Sequence, residues 1–455
     1  MKQRNSRFNT GMKYVTILLI LILVFTINLI LGYGKSGTND DDFDTLSTQE
    51  SEPATDKPTI EVSITPDVEL PKNDEPEVPL ETEDVDIQPE FRINIISDKN
   101  PELSSDLDDT AKKYNCVAAS LAFYNGEYDY FTYQYGQNDL DEFVPVDVET
   151  KFWAGSLSKL TTVICAMTLV DAGELDLDTD ISTYLGYEVK NPKHPDVPIT
   201  SQMLMHHISS IYDSEAYNTS RNGNSSSSNR QLLDAGTSYM GYRPGGGYIY
   251  SNLSYSILGA VCEMISGKTI DTFAHELLFV PLGIDAGYVP NKMQDTTEIA
   301  AIYNNRHTRI YSAQDQLDIV ESEELGHDHH LAHCNLTISA LDYARILAML
   351  TNGGILDGVR ILTEEAVEKI NTTNYSTERY DQRLGVRFLE NGFMDEDVFW
   401  HTGSGFGTFA QFIYNMETKR AVVVITTGSN TTRTPNGMVS VCSDLSEPVW
   451  KSFTP

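Results

Sequence analysis

A serine and a lysine three residues apart, Ser156 and Lys159, stand in the run Thr150-Lys-Phe-Trp-Ala-Gly-Ser-Leu-Ser-Lys-Leu-Thr-Thr162. If a helix begins here, one turn separates them and both side chains lie on the same face. A serine hydroxyl is a poor nucleophile until a neighbour takes its proton, and a partly buried lysine can do so. The helix N-terminus adds positive potential and backbone N–H groups where an oxyanion would form. The chemistry these residues could perform is acyl transfer through a serine ester. Ser-x-x-Lys occurs once in the chain. Its competing reading is an ordinary N-cap serine followed by an exposed lysine.

Two other constellations compete. His327, His329, His330 and His333 cluster in Gly-His-Asp-His-His-Leu-Ala-His, and His329 and His333 stand at the spacing of two ligands on one helical face. No His-Glu-x-x-His accompanies them, so the stretch reads as a polar loop; neither a metal nor a cofactor is expected. Gly-x-Ser-x-Gly is absent, which excludes the nucleophile elbow of α/β-hydrolases.

The elements that must position Ser156 follow from pattern. Val117 to Tyr124 and Tyr128 to Tyr135 read as a β-hairpin turning at Asn125-Gly126, a pair suited to the positive φ values of a type I′ turn. Thr408 to Tyr414 and Ala421 to Thr427 form a second strand pair across a polar turn. Between them Ser156–Ala172, Ser251–Ser266, Ile270–Leu277 and Ala340–Thr351 show helical spacing, the first as an amphipathic helix. Strands at both ends with a helical middle predict an α+β domain: one sheet assembled from N- and C-terminal strands, flanked by helices, with a helical subdomain inserted. The Asn-, Ser- and Gly-rich stretch Arg221 to Arg230 reads as a surface loop.

Phe152 to Thr162 resembles the active-site segment of the serine β-lactamase and penicillin-binding protein superfamily, on its class C branch. Pro244-Gly-Gly-Gly-Tyr-Ile-Tyr250-Ser251-Asn252 is similar to the family's Tyr-x-Asn stretch, and Trp400-His401-Thr402-Gly403-Ser404-Gly405 to its Lys-Thr-Gly or His-x-Gly strand. Three motifs in the family's order over about 250 residues are far more specific than any one of them. Ile199 to Ile211 resembles a family helix ending in His-Thr-Ser-Gly, with Ser210 where glycine is usual, and Gly353 to Leu362 is also similar. The resemblance spans roughly Cys116 to Asn430 and implies a β-lactamase/transpeptidase-like fold.

Carried over by residue, the resemblance implies that Ser156 attacks a carbonyl to form an acyl-enzyme, with Lys159 and Tyr250 sharing the proton transfer. Which of the two is the principal base stays open. Tyr250 as an anionic base needs a depressed pKa, which the Lys159 cation could supply. Asn252 would bind Lys159 or a substrate amide. The backbone N–H groups of Ser156 and Ser404 would form the oxyanion hole, while His401, Thr402 and Gly403 would line the substrate's far side. The family often carries Lys where His401 stands, to meet a substrate carboxylate. Histidine is a weaker, pH-dependent partner, which argues against lactamase activity and leaves room for an esterase or a peptidase with a different terminal group.

A net charge of −34 argues against a nucleic-acid partner. Residues 1–13 carry Lys2, Arg4, Arg7 and Lys13 and read as a cytoplasmic basic tail; Tyr14 to Gly32 is apolar and long enough to span a bilayer. A retained signal anchor is favoured over a cleaved signal peptide, which puts the catalytic domain outside the cytoplasm. From Lys35 to Thr110, 23 acids face 5 bases with eight prolines, so residues 33–110 read as a disordered stalk, with the hydrolase domain at 111–455. The five cysteines show no metal-ligand spacing and read as small buried core residues. The expected partners are the membrane and a small-molecule, peptidoglycan- or teichoic-acid-type substrate, acted on at a D-alanyl amide or ester. A non-wall carboxylesterase and a catalytically silent protein that binds wall fragments or β-lactams are the alternatives.

Overall fold

The computed structural model describes residues 91–220, 227–328 and 330–453. The predicted tail, membrane span and most of the stalk lie outside the described residues. Among the described residues no helix is long and apolar enough to cross a membrane.

Ten strands form the central sheet. Its path uses β1 (Arg92–Ile95), β2 (Ala118–Tyr124), β3 (Asp129–Asp139), β4 (Tyr375–Ser376), β5 (Asp381–Gln382), β6 (Arg387–Phe393), β7 (Glu396–Gly405), β8 (Thr408–Tyr414) and β9 (Ala421–Thr427). The order is β1-β3-β2-β9-β8-β7-β6-β5-β4, with Val144–Pro145 beside β3. The two ends of the chain meet where β9 pairs with β2, Thr427 opposite Ala118 and Ala421 opposite Tyr124. The sheet is antiparallel except at its edge, where β1 runs parallel to β3. The β2–β3 turn is wider than the type I′ turn expected. Gly126 has φ 90°, but Asn125 does not enter the left-handed region, and its side chain instead accepts from Glu127 N and Asp129 N.

Strands β2, β8 and β9 are buried throughout because both faces are covered. Ala122, Phe412 and Val423 join the core beneath the helices α2 (Ser158–Asp171), α3 (Asn252–Ser266) and α5 (Ala340–Thr351), while Leu121, Ile413 and Val424 join a second core under α1 (Pro101–Lys113) and α6 (Ser440–Ser452). A short helix, α4 (Leu331–Cys334), packs against α2 and α3.

Three further expectations need correction. The fold begins before Ala111: β1 and α1 occupy part of the segment assigned to the stalk. Leu103, Leu107 and Ala111, spaced by four, bury one face of α1, and the Asn100 side chain caps it by accepting from Leu103 N. Helix α2 is not amphipathic, since Ser158 to Met167 are all buried; it runs through the interior. The expected loop Arg221 to Arg230 gives way at Asn229 to a helix, Asn229–Asp234, opened by a Ser228–Gln231 capping box.

Candidate active site

The nucleophile segment is shaped by what approaches it. Gly155 opens a 3₁₀ turn, Gly155–Leu157, that leads into α2. Its φ of 55° suits glycine, and a Cβ there would lie 3.3 Å from Ser404 N. On β7, a Cβ at Gly403 would sit 2.2 Å from Ala154 O. Two missing side chains thus let β7 lie directly against the backbone that precedes Ser156, with the amide of Ser404 beside Gly155.

Ser156 is half-buried and Lys159 is fully buried. Lys159 Nζ lies 3.0 Å from Ser156 Oγ, 2.8 Å from Asn252 Oδ1 and 3.0 Å from His333 O. Three acceptors surround one nitrogen. An ammonium would donate to all three; a neutral amine would donate to Asn252 and His333 and turn its lone pair on the Ser156 hydroxyl. Tyr250 OH approaches Ser156 Oγ from the other side at 2.9 Å. Its ring lies 5.0 Å from Lys159 Nζ and 5.7 Å from the Arg387 guanidinium, within cation–π range of both.

The Tyr250 loop is tied down by residues 207 and 208. Ile249 N donates to His207 O, Gly245 N to Ile208 O, and Ser251 N to His207 Nδ1 at 3.1 Å. The His207 ring lies 4.4 Å from that of Tyr250, tilted by 37°. Accepting at Nδ1, His207 is the neutral Nε2–H tautomer; burial, with Lys159 and Arg387 nearby, holds its pKa well below 6.5. Ser251 then caps α3, delivering Asn252 as its first residue. Asn252 Nδ2 donates to Asp213 Oδ2 at 2.8 Å. Burial pushes the Asp213 carboxyl upward, opposed by hydrogen bonds from Leu253 and Asn252 and by the Lys159 charge.

The structure therefore brings Ser156, Lys159, Tyr250 and Asn252 into one hydrogen-bonded cluster. His401 is placed differently from expectation. It is 2% exposed, its Nδ1 donates to Thr402 O, and burial together with Arg387 and Lys159 holds it well below the usual histidine range. It is a neutral wall of the site, 6.3 Å ring to ring from Tyr250, and not a cation for a carboxylate. A cation at the Thr402 and Ser404 end of this strand is Arg433, whose guanidinium lies 3.3 Å from both Thr402 Oγ1 and Ser404 Oγ. In the histidine cluster, His333 is buried between Tyr217 OH and Ser256 Oγ, and His329 lies outside the described residues. Among the described residues no group of His, Cys, Asp or Glu is arranged to hold a metal.

Asp213, His207, His333, Arg387 and Arg433 were not among the expected site residues. His207 carried a sequence signal, standing where the resembled His-Thr-Ser-Gly begins, and His333 stood in the histidine cluster read as a polar loop. The usual glycine of that motif is explained by Ser210, whose φ is 66°.

A family model described as Beta-lactamase matches residues 103–438. An uncharacterised protein of Mycobacterium tuberculosis is 26% identical over 269 residues, 54% of this chain and 64% of that protein. Penicillin-binding protein 4 of Amycolatopsis lactamdurans is 32% identical over 143 residues, 31% of this chain and 36% of that protein. The chain thus spans less than two thirds of the length of these curated relatives. Among solved structures, a β-lactamase/D-alanine carboxypeptidase from Pseudomonas syringae aligns with TM-score 0.60 at 17% identity over 78% of this chain and 98% of that one. D-amino acid amidase from Ochrobactrum anthropi aligns with TM-score 0.60 at 21% identity over 78% of this chain and all of that one. At these identities the solved structures speak for the fold, and the family match covers most of the folded part: the chain belongs to the beta-lactamase family, within the serine β-lactamase and penicillin-binding protein superfamily.

Proposed function

We propose that the chain is a membrane-anchored serine hydrolase working outside the cytoplasm through an acyl-enzyme on Ser156, on D-alanyl amides or esters of the cell envelope. The observation that carries the catalytic part is one hydroxyl, Ser156 Oγ, within 3.0 Å of Lys159 Nζ and 2.9 Å of Tyr250 OH. The anchor and its orientation rest on the basic tail and the apolar run Tyr14 to Gly32.

In this reading Ser156 Oγ attacks the carbonyl carbon while its proton passes to Tyr250 or Lys159. The carbonyl oxygen becomes an oxyanion facing the N–H groups of Ser156 and Ser404. Collapse of the tetrahedral intermediate breaks the C–N or C–O bond, and the departing amine or alcohol takes the proton back. Water then adds to the ester by the same proton route and frees the acid. Arg433, with the Thr402 and Ser404 hydroxyls, would receive a substrate carboxylate, the task that neutral His401 does not perform.

Support for a D-alanyl substrate comes from the superfamily and from the carboxypeptidase and amidase activities named for two structural neighbours. The test is intact-mass detection of an acyl adduct at Ser156 after incubation with D-alanyl-D-alanine peptides, D-alanyl esters and β-lactams, with Ser156→Ala as blank. A mass increase from the peptides or D-alanyl esters supports the proposal. Turnover of simple p-nitrophenyl esters without such adducts would instead select a carboxylesterase.

A further inference from the structure

The buried carboxyl of Asp213 stands outside the acid–base cluster but one amide away from Lys159. Its Oδ2 accepts from Asn252 Nδ2 at 2.8 Å; its Oδ1 accepts from Leu253 N at 2.9 Å and Ser251 Oγ at 3.4 Å. Donors at both oxygens match an acceptor-only, ionised carboxyl. Asn252 in turn presents Oδ1 to Lys159 Nζ. An acceptor at 213 permits one orientation of this amide. Flipped, Asn252 would set oxygen against carboxylate and NH₂ against Lys159.

We infer that Asp213 is a positioning residue of the site, fixing the orientation of Asn252 and through it the place and the protonated state of Lys159. This rests on the reading of Ser156 as nucleophile. The titratable groups facing Lys159 come from several elements: Tyr250 just before α3, Tyr255 on α3, His207 from the segment after Ser201–Met205 and His401 from β7, with Arg387 of β6 over the Tyr250 ring. Neither the neutral histidines nor Arg387 offers Lys159 a negative charge. The Asp213 carboxylate, relayed through the Asn252 dipole, does.

The experiment is the rate of fluorophosphonate labelling of Ser156 against pH in the full-length chain, with Ser156→Ala as blank. In labelling, Ser156 Oγ bonds to phosphorus, fluoride leaves, and the hydroxyl proton passes to the neighbouring base. Asp213→Asn turns an NH₂ toward Asn252, which must flip and lose its acceptor for Lys159. The expected result is labelling slowed on the order of 100-fold by displacement of Lys159. With Tyr250 as the base and Lys159 as its ammonium partner, rate is lost on the alkaline side where Lys159 loses its proton, and this limb moves to lower pH because a nearby negative charge is gone. In Asp213→Asn/Asn252→Asp the carboxylate at 252 accepts from both neighbours, and the limb returns upward. Asn252→Ala cuts the same link without touching the buried carboxyl, and it too moves the limb down. A uniform loss of rate with the limb unmoved in both Asp213→Asn and Asn252→Ala, or wild-type rates in either, overturns the inference. Absence of labelling in the wild type overturns the nucleophile reading as well.

Discussion

Replacing Gly403 by alanine isolates the close approach of β7 to the nucleophile. The position needs no unusual backbone, since its φ lies outside the left-handed region, so the effect of a methyl group there is steric. The new Cβ would fall 2.2 Å from Ala154 O and 3.2 Å from Ala154 C, with Ala410 Cβ at 3.3 Å behind it. Carbon–oxygen contacts settle near 3.3 Å, so β7 and the Ala154 segment must separate by about 1 Å. That moves Ser404 N away from Ser156 N, the two proposed oxyanion donors. A misplacement of this size costs about 100-fold in rate, or roughly 2.7 kcal/mol of transition-state stabilisation. The assay is the second-order rate of fluorophosphonate labelling at Ser156, read beside a thermal melt. A melting temperature within a few degrees of wild type together with the 100-fold loss is the expected pair. Wild-type labelling by Gly403→Ala would refute the argument that this glycine sets the spacing of the site.

Tyr250→Phe removes the hydroxyl 2.9 Å from Ser156 Oγ while leaving a ring beside His207, so Ser156 labelling should fall by roughly 10²–10⁴-fold with little change in stability. Leu107→Ala should destabilise the domain by about 2–5 kcal/mol in chemical denaturation, because Leu107 is fully buried on α1; an effect near zero would return this segment to the stalk. His206 is held at about 4 mainly by burial. Between pH 6.5 and 4 the unfolded chain therefore binds this proton and the folded one does not. Stability from His206 is present above 6.5 and lost as pH falls, at about 1.4 kcal/mol per pH unit. His206→Gln should flatten the acid side of the stability curve by that slope, and an unchanged slope would show that His206 stays charged in the fold.

Local pattern carried much of the fold. Thr408 to Tyr414 and Ala421 to Thr427 are strands at those bounds, and Ala340 to Thr351 is a helix at its own, because each is an apolar run bounded by turn or capping residues. Helix α1 was legible too: Asn100-Pro101 is a start signal, and Leu103, Leu107 and Ala111 recur at helical spacing. The abundant acids around it made composition outweigh periodicity. The all-round burial of α2 is not written locally, because an apolar helix face has the same residues whether one neighbour covers it or four do.

The residue types and order of Ser156, Lys159, Tyr250 and Asn252 were determined by the sequence alone, since a nucleophile, its proton acceptors and their spacing are chemical identities that survive without coordinates. What only the tertiary structure decided is the electrostatic setting. Burial between β6, β7 and α3 makes His401 and His207 neutral, brings Arg433 to the Thr402 and Ser404 hydroxyls, and sets Asp213 behind Asn252. Desolvation and long-range charge depend on which groups arrive from distant parts of the chain, and no spacing within a motif records that.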